Sequence, residues 1–443
     1  MAPAQFRIII VGGGVVGLTA ANMLAKANID FVVLERGSSL VPELGASLAI
    51  WSSTLRIFDQ LGLYDAILEN SSPVLSTTML THEGKQYDRQ EFCDKKYLGH
   101  SGRVSRRSSI LKVLFDGLSA ESKARIHTDK KVTGMSVRED GVTVTCQDGS
   151  AFEGSMVLGT DGVHSIVRNL SRELALHESP KAIVNSEKPF LSTFKVVFGS
   201  VPKPKDISLG DTYEAHGKDI STQFFCDRDM AFFFVYQRLD TNTQERVSYD
   251  EKEMEQFIEE TGHIHMTPGV TVRDIYAQRI NSGMVNLDEG IVDSQDWKRV
   301  LLVGDSCHKM TPNFGFGYHS SVWDLAVLVN HLREHLLAHP DDQIDTPTLV
   351  KIFSRYQEAR GSHNKTLMKL SAGLTRSATW QTWVDYLLDR FLLPWTHSMT
   401  WMTPLVLVPL LKVCPVLNWL PEPNFKSGST PWDHMPKLGD LVE

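Results

Sequence analysis

Gly12, Gly14 and Gly17 stand in the spacing G-x-G-x-x-G, and Glu35 follows roughly 20 residues later. In that spacing Gly12 permits a tight turn, Gly14 lets the backbone approach a pyrophosphate, and Gly17 lets a helix pack closely on its strand. An acid at the position of Glu35 accepts hydrogen bonds from ribose hydroxyls. Two further acids share a setting: Asp161 lies in Gly159-Thr160-Asp161-Gly162 and Asp305 in Gly304-Asp305-Ser306, each at the end of an apolar run. An aspartate at a strand end can accept from ribityl hydroxyls. The helix N-terminus beyond it can stabilise negative charge on a flavin's N1–C2=O edge. The glycines announce a dinucleotide, and the two aspartate motifs point to FAD.

Such residues need elements that bring them together. Ile8 to Val11 reads as a buried parallel strand, a helix follows Gly14, and Phe31 to Leu34 reads as a second strand, completing a βαβ unit over residues 8 to 36. Met156 to Leu158 and Val300 to Val303 read as further buried strands, the latter followed by His308, Pro312, Gly315, Gly317 and a helix from Ser320. The expected fold is α/β. A Rossmann-type FAD-binding domain is assembled from residues 1–70, 101–180 and 286–335, and a mainly antiparallel β-sheet substrate domain from 71–100 and 181–285. A helical C-terminal region covers 336–443. Within the sheet, Phe224, Phe225, Phe232, Phe233, Phe234 and Tyr236 offer a pocket wall, although alternate residues must face opposite sides and about half should fill core instead.

The three motifs, in this order, resemble the class A flavoprotein monooxygenases, the para-hydroxybenzoate hydroxylase superfamily, over about residues 6 to 335. The phrase GDSCHKMTPNFGFG, the run Gly45-Ala46-Ser47-Leu48-Ala49 followed by LRIFDQLGLYDAI, and Arg107-Ser108-Ser109-Ile110-Leu111 look most like the fungal FAD-dependent epoxidases and monooxygenases of meroterpenoid and indole-diterpene biosynthesis. The resemblance implies FAD contacts at Gly12, Gly14, Gly17, Glu35, Ala49, Arg107, Asp161, Gly162, Asp305, Pro312, Gly315 and Tyr318. It sets Tyr213 near the family's proposed catalytic tyrosine, where it could hydrogen-bond substrate or donate a proton. It further implies NAD(P)H as reductant and transfer of one oxygen atom from O₂ to a lipophilic substrate. No second G-x-G-x-x-G unit serves NAD(P)H, so the pyridine nucleotide is expected to bind transiently on the FAD domain.

One departure from the family pattern affects the chemistry. Where a G-G-N-like run is usual this chain reads Gly317-Tyr318-His319-Ser320, and Trp323 and Asp324 replace a Glu-containing pattern. Either both rings turn away and the backbone contact with the flavin survives, or the chemistry changes. The altered chemistry would be a Baeyer–Villiger insertion, or a redox-neutral cyclisation or isomerisation with a protonated His319 or the flavin as acid. His308 could brace the loop beside the flavin or cap the strand end.

Composition narrows the setting. The chain has 443 residues, 42% hydrophobic content and a formal charge of −8, enough for a large and a smaller core and without a basic block for nucleic acid. Five scattered cysteines form no C-x-x-C, so neither a disulfide framework nor a metal site is expected. The N-terminal apolar run lacks a basic lead segment and reads as the first strand, not as a cleavable signal. An intracellular, cytosol-facing protein is expected, attached to a membrane such as the endoplasmic reticulum or else cytoplasmic. The membrane expectation rests on residues 391–420, above all on the 21 uncharged residues FLLPWTHSMTWMTPLVLVPLL between Arg390 and Lys412. As one helix they would measure ~31 Å, enough to span a bilayer. Pro394, Pro404 and Pro409 favour a broken hairpin or interfacial segment instead, and a buried lid is the third reading.

Overall fold

The computed structural model describes residues 6–41 and 47–437. Gly45 and Ala46 of the family-like run lie outside the described residues. Arg7–Val11, Asp30–Leu34, Met156–Gly159 and Val300–Leu302 form the centre of a parallel sheet whose strands are buried nearly throughout. Burial on both faces explains why they read as unbroken apolar runs. The sheet order runs from Asp296–Trp297 through Val300–Leu302, Met156–Gly159, Arg7–Val11 and Asp30–Leu34 to Ile126–His127. Register matters more than order. Val11 pairs with Gly159 and Gly159 with Leu302, so three strands far apart in sequence end level with one another. All three motifs therefore emerge along the carboxyl edge of one sheet, where open α/β sheets bind ligands.

The glycines are fixed by close approach. Gly12 has φ +109°, and a Cβ there would sit 2.7 Å from the Thr160 carbonyl oxygen. A Cβ on Gly17 would come within 1.9 Å of the Gly12 carbonyl oxygen, so any side chain would push the helix Val15–Lys26 off the turn. Side chains lock the three turns together. Thr160 Oγ1 donates to the carbonyls of Val11 and Gly12 at 3.0 Å each, and Ser306 Oγ donates to the Gly159 carbonyl at 2.8 Å.

Over this edge lies an eight-stranded, mostly antiparallel sheet. Its centre is Leu191–Pro202 paired with Met230–Thr243, flanked by Asn281–Ile291 on one side and by Ile220–Cys226 and Asp211–His216 on the other. Ser76–Leu80 joins Asp211–His216 in parallel and Gln86–Glu91 closes the edge, so the 71–100 excursion adds to the sheet of 181–285. Asn281–Ile291 runs across the boundary expected at 286, because a long strand continues without a turn between the two units. The far face of the sheet is sealed by the helices Glu251–Thr261 and Val272–Ala277, with Phe224, Phe233, Phe257, Ile275 and Tyr276 in one buried cluster.

Two long helices, Phe316–Ala338 and Thr346–Ala378, lead into the C-terminal region. The first begins four residues before the expected Ser320, since Gly315 turns the chain in the left-handed region at φ +69° and serves as N-cap. Beyond them the uncharged stretch is not one helix. Short pieces are interrupted by π-turns at Leu388–Leu392 and Thr403–Leu407, and His397 between them takes φ +47°. Prolines 394, 404 and 409 remove the amide donors that a regular ladder needs, and π-turns are the resulting accommodation. Among the described residues no helix is long and apolar enough to cross a membrane, which corrects the continuous-span reading. The chain then returns to the FAD-domain helix Ser52–Leu61. There Gln60 Nε2 donates to the Leu417 and Leu420 carbonyls, and buried Arg56 pairs with Glu422 at 2.8 Å.

Candidate functional site

A cavity of about 390 Å³ separates the motif edge of the parallel sheet from the antiparallel sheet. Gly14, Ala49, Arg107, Gly162, Asp305, Pro312, Gly315 and Tyr318 all line it, so eight of the cofactor positions meet there. Gly14 and Gly162 are the open glycines. A Cβ on Gly14 would meet only the Arg107 guanidinium at 3.7 Å, and one on Gly162 would meet nothing within 4 Å. Backbone is thus left bare where a pyrophosphate needs to approach. Gly315 is different: its Cβ would sit 2.3 Å from that of Ala49, so the two small residues keep the chain pair close.

Gly12, Gly17, Glu35 and Asp161 shape the site without lining the cavity. Glu35 accepts from the Gly13 amide at 2.7 Å and the Gly37 amide at 2.8 Å, bracing the glycine turn. A carboxylate has about four acceptor positions, which leaves some of them for a ribose. Asp161 departs from the expected ribityl contact. Its oxygens accept from Ser165 Oγ at 2.6 Å and from the Ile166 and Val167 amides at 2.7 and 3.2 Å, which ties it to the start of the helix Ile166–Glu178. Asp305 does face the cavity, paired with Lys309. Burial raises its carboxyl and the Lys309 ammonium, with help from His308 and Arg107, outweighs that effect, so the net direction is down and Asp305 is an anion.

Of the two substituted positions, Tyr318 borders the cavity with its hydroxyl tied back, and His319 lies outside it. Tyr318 Oη shares a hydrogen bond with Thr19 Oγ1 at 2.8 Å, fastening the helix Phe316–Ala338 to the helix Val15–Lys26. His319 is buried away from the cavity, its Nδ1 2.8 Å from Thr54 Oγ1 and its ring against Trp323 at 4.3 Å between centroids. Burial, with His363 and Arg360 nearby, pushes its pKa well below the ordinary value. A neutral ring outside the cavity cannot protonate substrate, which corrects the reading of His319 as a catalytic acid. His308 binds Asp324 at 2.6 Å behind the motif turn, and Arg360 binds the other Asp324 oxygen at 2.8 Å, so His308 braces the loop.

Tyr213 needs the same correction. On Asp211–His216, Thr212 and Glu214 face the cavity, whereas Tyr213 pairs in register with Phe224 and packs on the far-face cluster. Period-two alternation puts it on the wrong side of the sheet. The aromatic wall divides as alternation requires: Phe225, Phe234 and Tyr236 line the cavity, while Phe224 and Phe233 join the far-face core. Phe232 packs on the near side, in the cluster with Phe194 and Tyr236. Trp51, Phe92, Asp94, Arg103, Phe314, Thr212, Glu214, Gln223 and Lys309 also line the cavity and were not foreseen. The alternating polar positions Thr212-x-Glu214-x-His216 were the available signal.

The residues present fit FAD: bare glycine backbone, a guanidinium at Arg107 and an anionic aspartate meet around one cleft, and the ribose-type acid Glu35 braces the glycine turn beside it. A family model described as an FAD binding domain matches residues 5–347. The chain belongs to the class A FAD-dependent monooxygenases. This monooxygenase is 31% identical to the FAD-dependent monooxygenase srdH of Neurospora crassa over 96% of its own length and 98% of that protein. It is 30% identical to the FAD-dependent monooxygenase DEP2 of Alternaria brassicicola over 88% of its length and 75% of that protein. Among solved structures, Klebsiella pneumoniae HpxO complexed with FAD and uric acid superposes with a TM-score of 0.70 at 17% identity, covering 91% of this chain and 97% of that one. CtdE in complex with FAD and substrate gives 0.67 at 17%, covering 86% and 92%. At such identities the structural likeness speaks for the fold.

Proposed function

We propose that this monooxygenase oxygenates a lipophilic isoprenoid or meroterpenoid intermediate of fungal secondary metabolism, by epoxidation or hydroxylation. The observation that carries the reading is the cavity wall opposite the FAD motifs. Phe92, Phe225, Phe234 and Tyr236, with Trp51 and Phe314 beside Gly315, give the chamber an aromatic surface interrupted by Asp94, Arg103, Thr212, Glu214 and Gln223, suited to a mainly apolar ligand that carries a polar group. The curated relatives are FAD-dependent monooxygenases of fungi, which supports the setting.

When bound, FAD supplies the redox chemistry, accepting hydride from NAD(P)H and activating O₂. The chain's own residues bind, orient and exclude water. Gly14, Arg107 and Gly162 would hold the phosphates, Asp305 the ribityl chain, and Glu35 the adenosine ribose. Gly315 and Pro312 set the N-terminus of Phe316–Ala338 at the cavity, where its free amides would favour negative charge on a bound flavin. Trp51 stacks on Phe314 at 5.1 Å and its Nε1 donates to the Phe314 carbonyl, closing the chamber beside Gly315 against solvent. The buried His319 is not the acid that a redox-neutral cyclase would need in the cavity.

Anaerobic reduction with NADPH followed by a pulse of ¹⁸O₂, in the presence of prenylated phenols and indoles, tests the proposal. One NAD(P)H and one O₂ are consumed per product, and one ¹⁸O atom appears in it. Product formed without O₂ or NAD(P)H overturns the oxygenase reading for this chemistry. The C-terminal segment supports a second element of the proposal, attachment at a membrane surface facing the cytosol. Trp383, Trp395 and Leu405 are 74%, 80% and 70% exposed, beside the exposed Phe391 and Leu392. An interfacial segment presents such a face to lipid without spanning it.

A further inference from the structure

Besides Asp305 two carboxylates line the cavity, Asp94 on the short helix Asp94–Leu98 and Glu214 on the antiparallel sheet, and the surroundings of Glu214 are built to hold it. Glu214 Oε1 accepts from Gln223 Nε2 at 2.9 Å, and Gln223 also donates to the Asn313 carbonyl at 3.1 Å. Tyr236 Oη donates to Gln223 Oε1 at 2.9 Å, which fixes the amide so that its NH₂ faces Glu214. Glu214 Oε2 lies 3.1 Å from His216 Nε2, and His216 Nδ1 lies 3.0 Å from both oxygens of Asp389. Asp389 also accepts from Tyr87 Oη at 2.9 Å and Trp380 Nε1 at 2.8 Å. An imidazole with an ionised carboxylate at each nitrogen must donate at both, so the ring is an imidazolium between two anions. The triad carries one net negative charge. Asp389 and His216 are buried behind the wall, and Glu214 is the member that reaches the cavity.

We propose that Glu214 is a specificity-determining residue, the acceptor for an O–H or N–H group on an otherwise apolar substrate. Two of its roughly four acceptor positions are occupied within the wall, which leaves acceptor capacity on a side chain that lines the cavity. An ionised carboxylate among aromatic rings rejects a ligand that offers it no donor, because its own desolvation would go uncompensated. His216 and Asp389 are positioning residues: they hold the carboxylate without touching the ligand. Asp389 lies on the C-terminal segment, in the π-turn Leu388–Leu392, so docking of that segment completes the acceptor. This inference rests on the reading of the cavity as the substrate chamber.

The test uses the FAD-loaded full chain and a matched pair of probes, 4-geranylphenol and its methyl ether, with affinities measured by calorimetry and flavin content by absorbance. The phenol binds the wild type about tenfold or more tightly than the ether, as expected for a hydrogen bond to a charged group. In Glu214→Ala the ratio falls to about twofold or less while ether binding and flavin content persist. Asp389→Asn lowers the ratio in the same direction, and Glu214→Asp retains part of it. A merely structural role would weaken both probes alike and leave the ratio unchanged. Equal binding of the two probes by the wild type, or a preference that survives Glu214→Ala, overturns the assignment of Glu214 and leaves the chamber standing. Failure of both probes to bind FAD-loaded protein overturns the chamber reading and this inference with it.

Discussion

At the scale of single residues the site depends on contacts that tolerate no added atom and on charges that must keep a partner. Gly17→Ala puts a methyl against the Gly12 carbonyl, which has no flexible end to yield. The variant is expected to lose about 1–3 kcal/mol of stability and most bound flavin, read by thermal unfolding and by absorbance of the purified protein. Retention of wild-type flavin content would show that the turn relaxes. Asp324 supplies a second case. Burial raises its carboxyl, but Arg360 and His308 outweigh that and hold the pKa at about 2, below its ordinary 3.8. A depressed carboxylate stabilises the fold above its unfolded pKa, and that contribution is lost as pH falls through the folded value. It amounts to on the order of 2 kcal/mol, lost between about pH 4 and pH 2. Denaturant unfolding of Asp324→Asn should show a shallower acid dependence than wild type, and an identical slope would remove Asp324 from the acid limb.

At the scale of elements, the C-terminal segment is fastened to the large sheet by a charge that requires protonation. Burial works against the His216 imidazolium, yet Asp389 and Glu214 raise its pKa to about 10 from 6.5. The other titratable or charged groups beside it are Tyr87, His82 and Arg390, which lies 4.4 Å over the Tyr87 ring. A raised histidine gives stability that is fully present below about pH 6.5 and lost as pH rises through 10. Asp389→Asn is therefore expected to destabilise the protein by about 3–5 kcal/mol near pH 6, with the gap to wild type closing by about pH 10.5. Unfolding free energies at the two pH values measure this. A gap independent of pH would mean that His216 is neutral in the fold.

At the scale of the whole molecule, two sheets and a helical region pack against one another, and the exposed large apolar side chains are densest on one segment, residues 383–406. Trp383, Trp395 and Leu405 project from it, while Leu407, Val408 and Leu411 just beyond it are buried in the large core. The full chain should float with phosphatidylcholine vesicles in a density gradient, and replacing Trp383, Trp395 and Leu405 together by Ser should leave it at the bottom with its flavin unchanged. Wild-type protein that stays at the bottom would assign the segment to covering the core alone.

The local part of this architecture was legible in the chain. Buried parallel strands show as unbroken apolar runs, the glycine spacing encodes a turn that only glycine can make, and alternation in 221–238 announces a sheet with two faces. Those signals sit within a few residues of the structure that they specify. Which face meets the flavin is not local, because a period of two gives two equivalent sides and only packing chooses between them. That choice took Tyr213 out of the cavity and brought Glu214 in. In the same way the types of residues 318 and 319 said nothing of the directions their rings take, which Thr19 on one helix and Thr54 on another decide. The uncharged C-terminal run had a spanning length, but its prolines and the anchors at Asp389 and Leu411 break it against the protein surface. Sequence by itself determined the elements and the cofactor. Tertiary structure decided which side chains share a cavity, because that depends on residues hundreds of positions apart arriving at the same sheet edge.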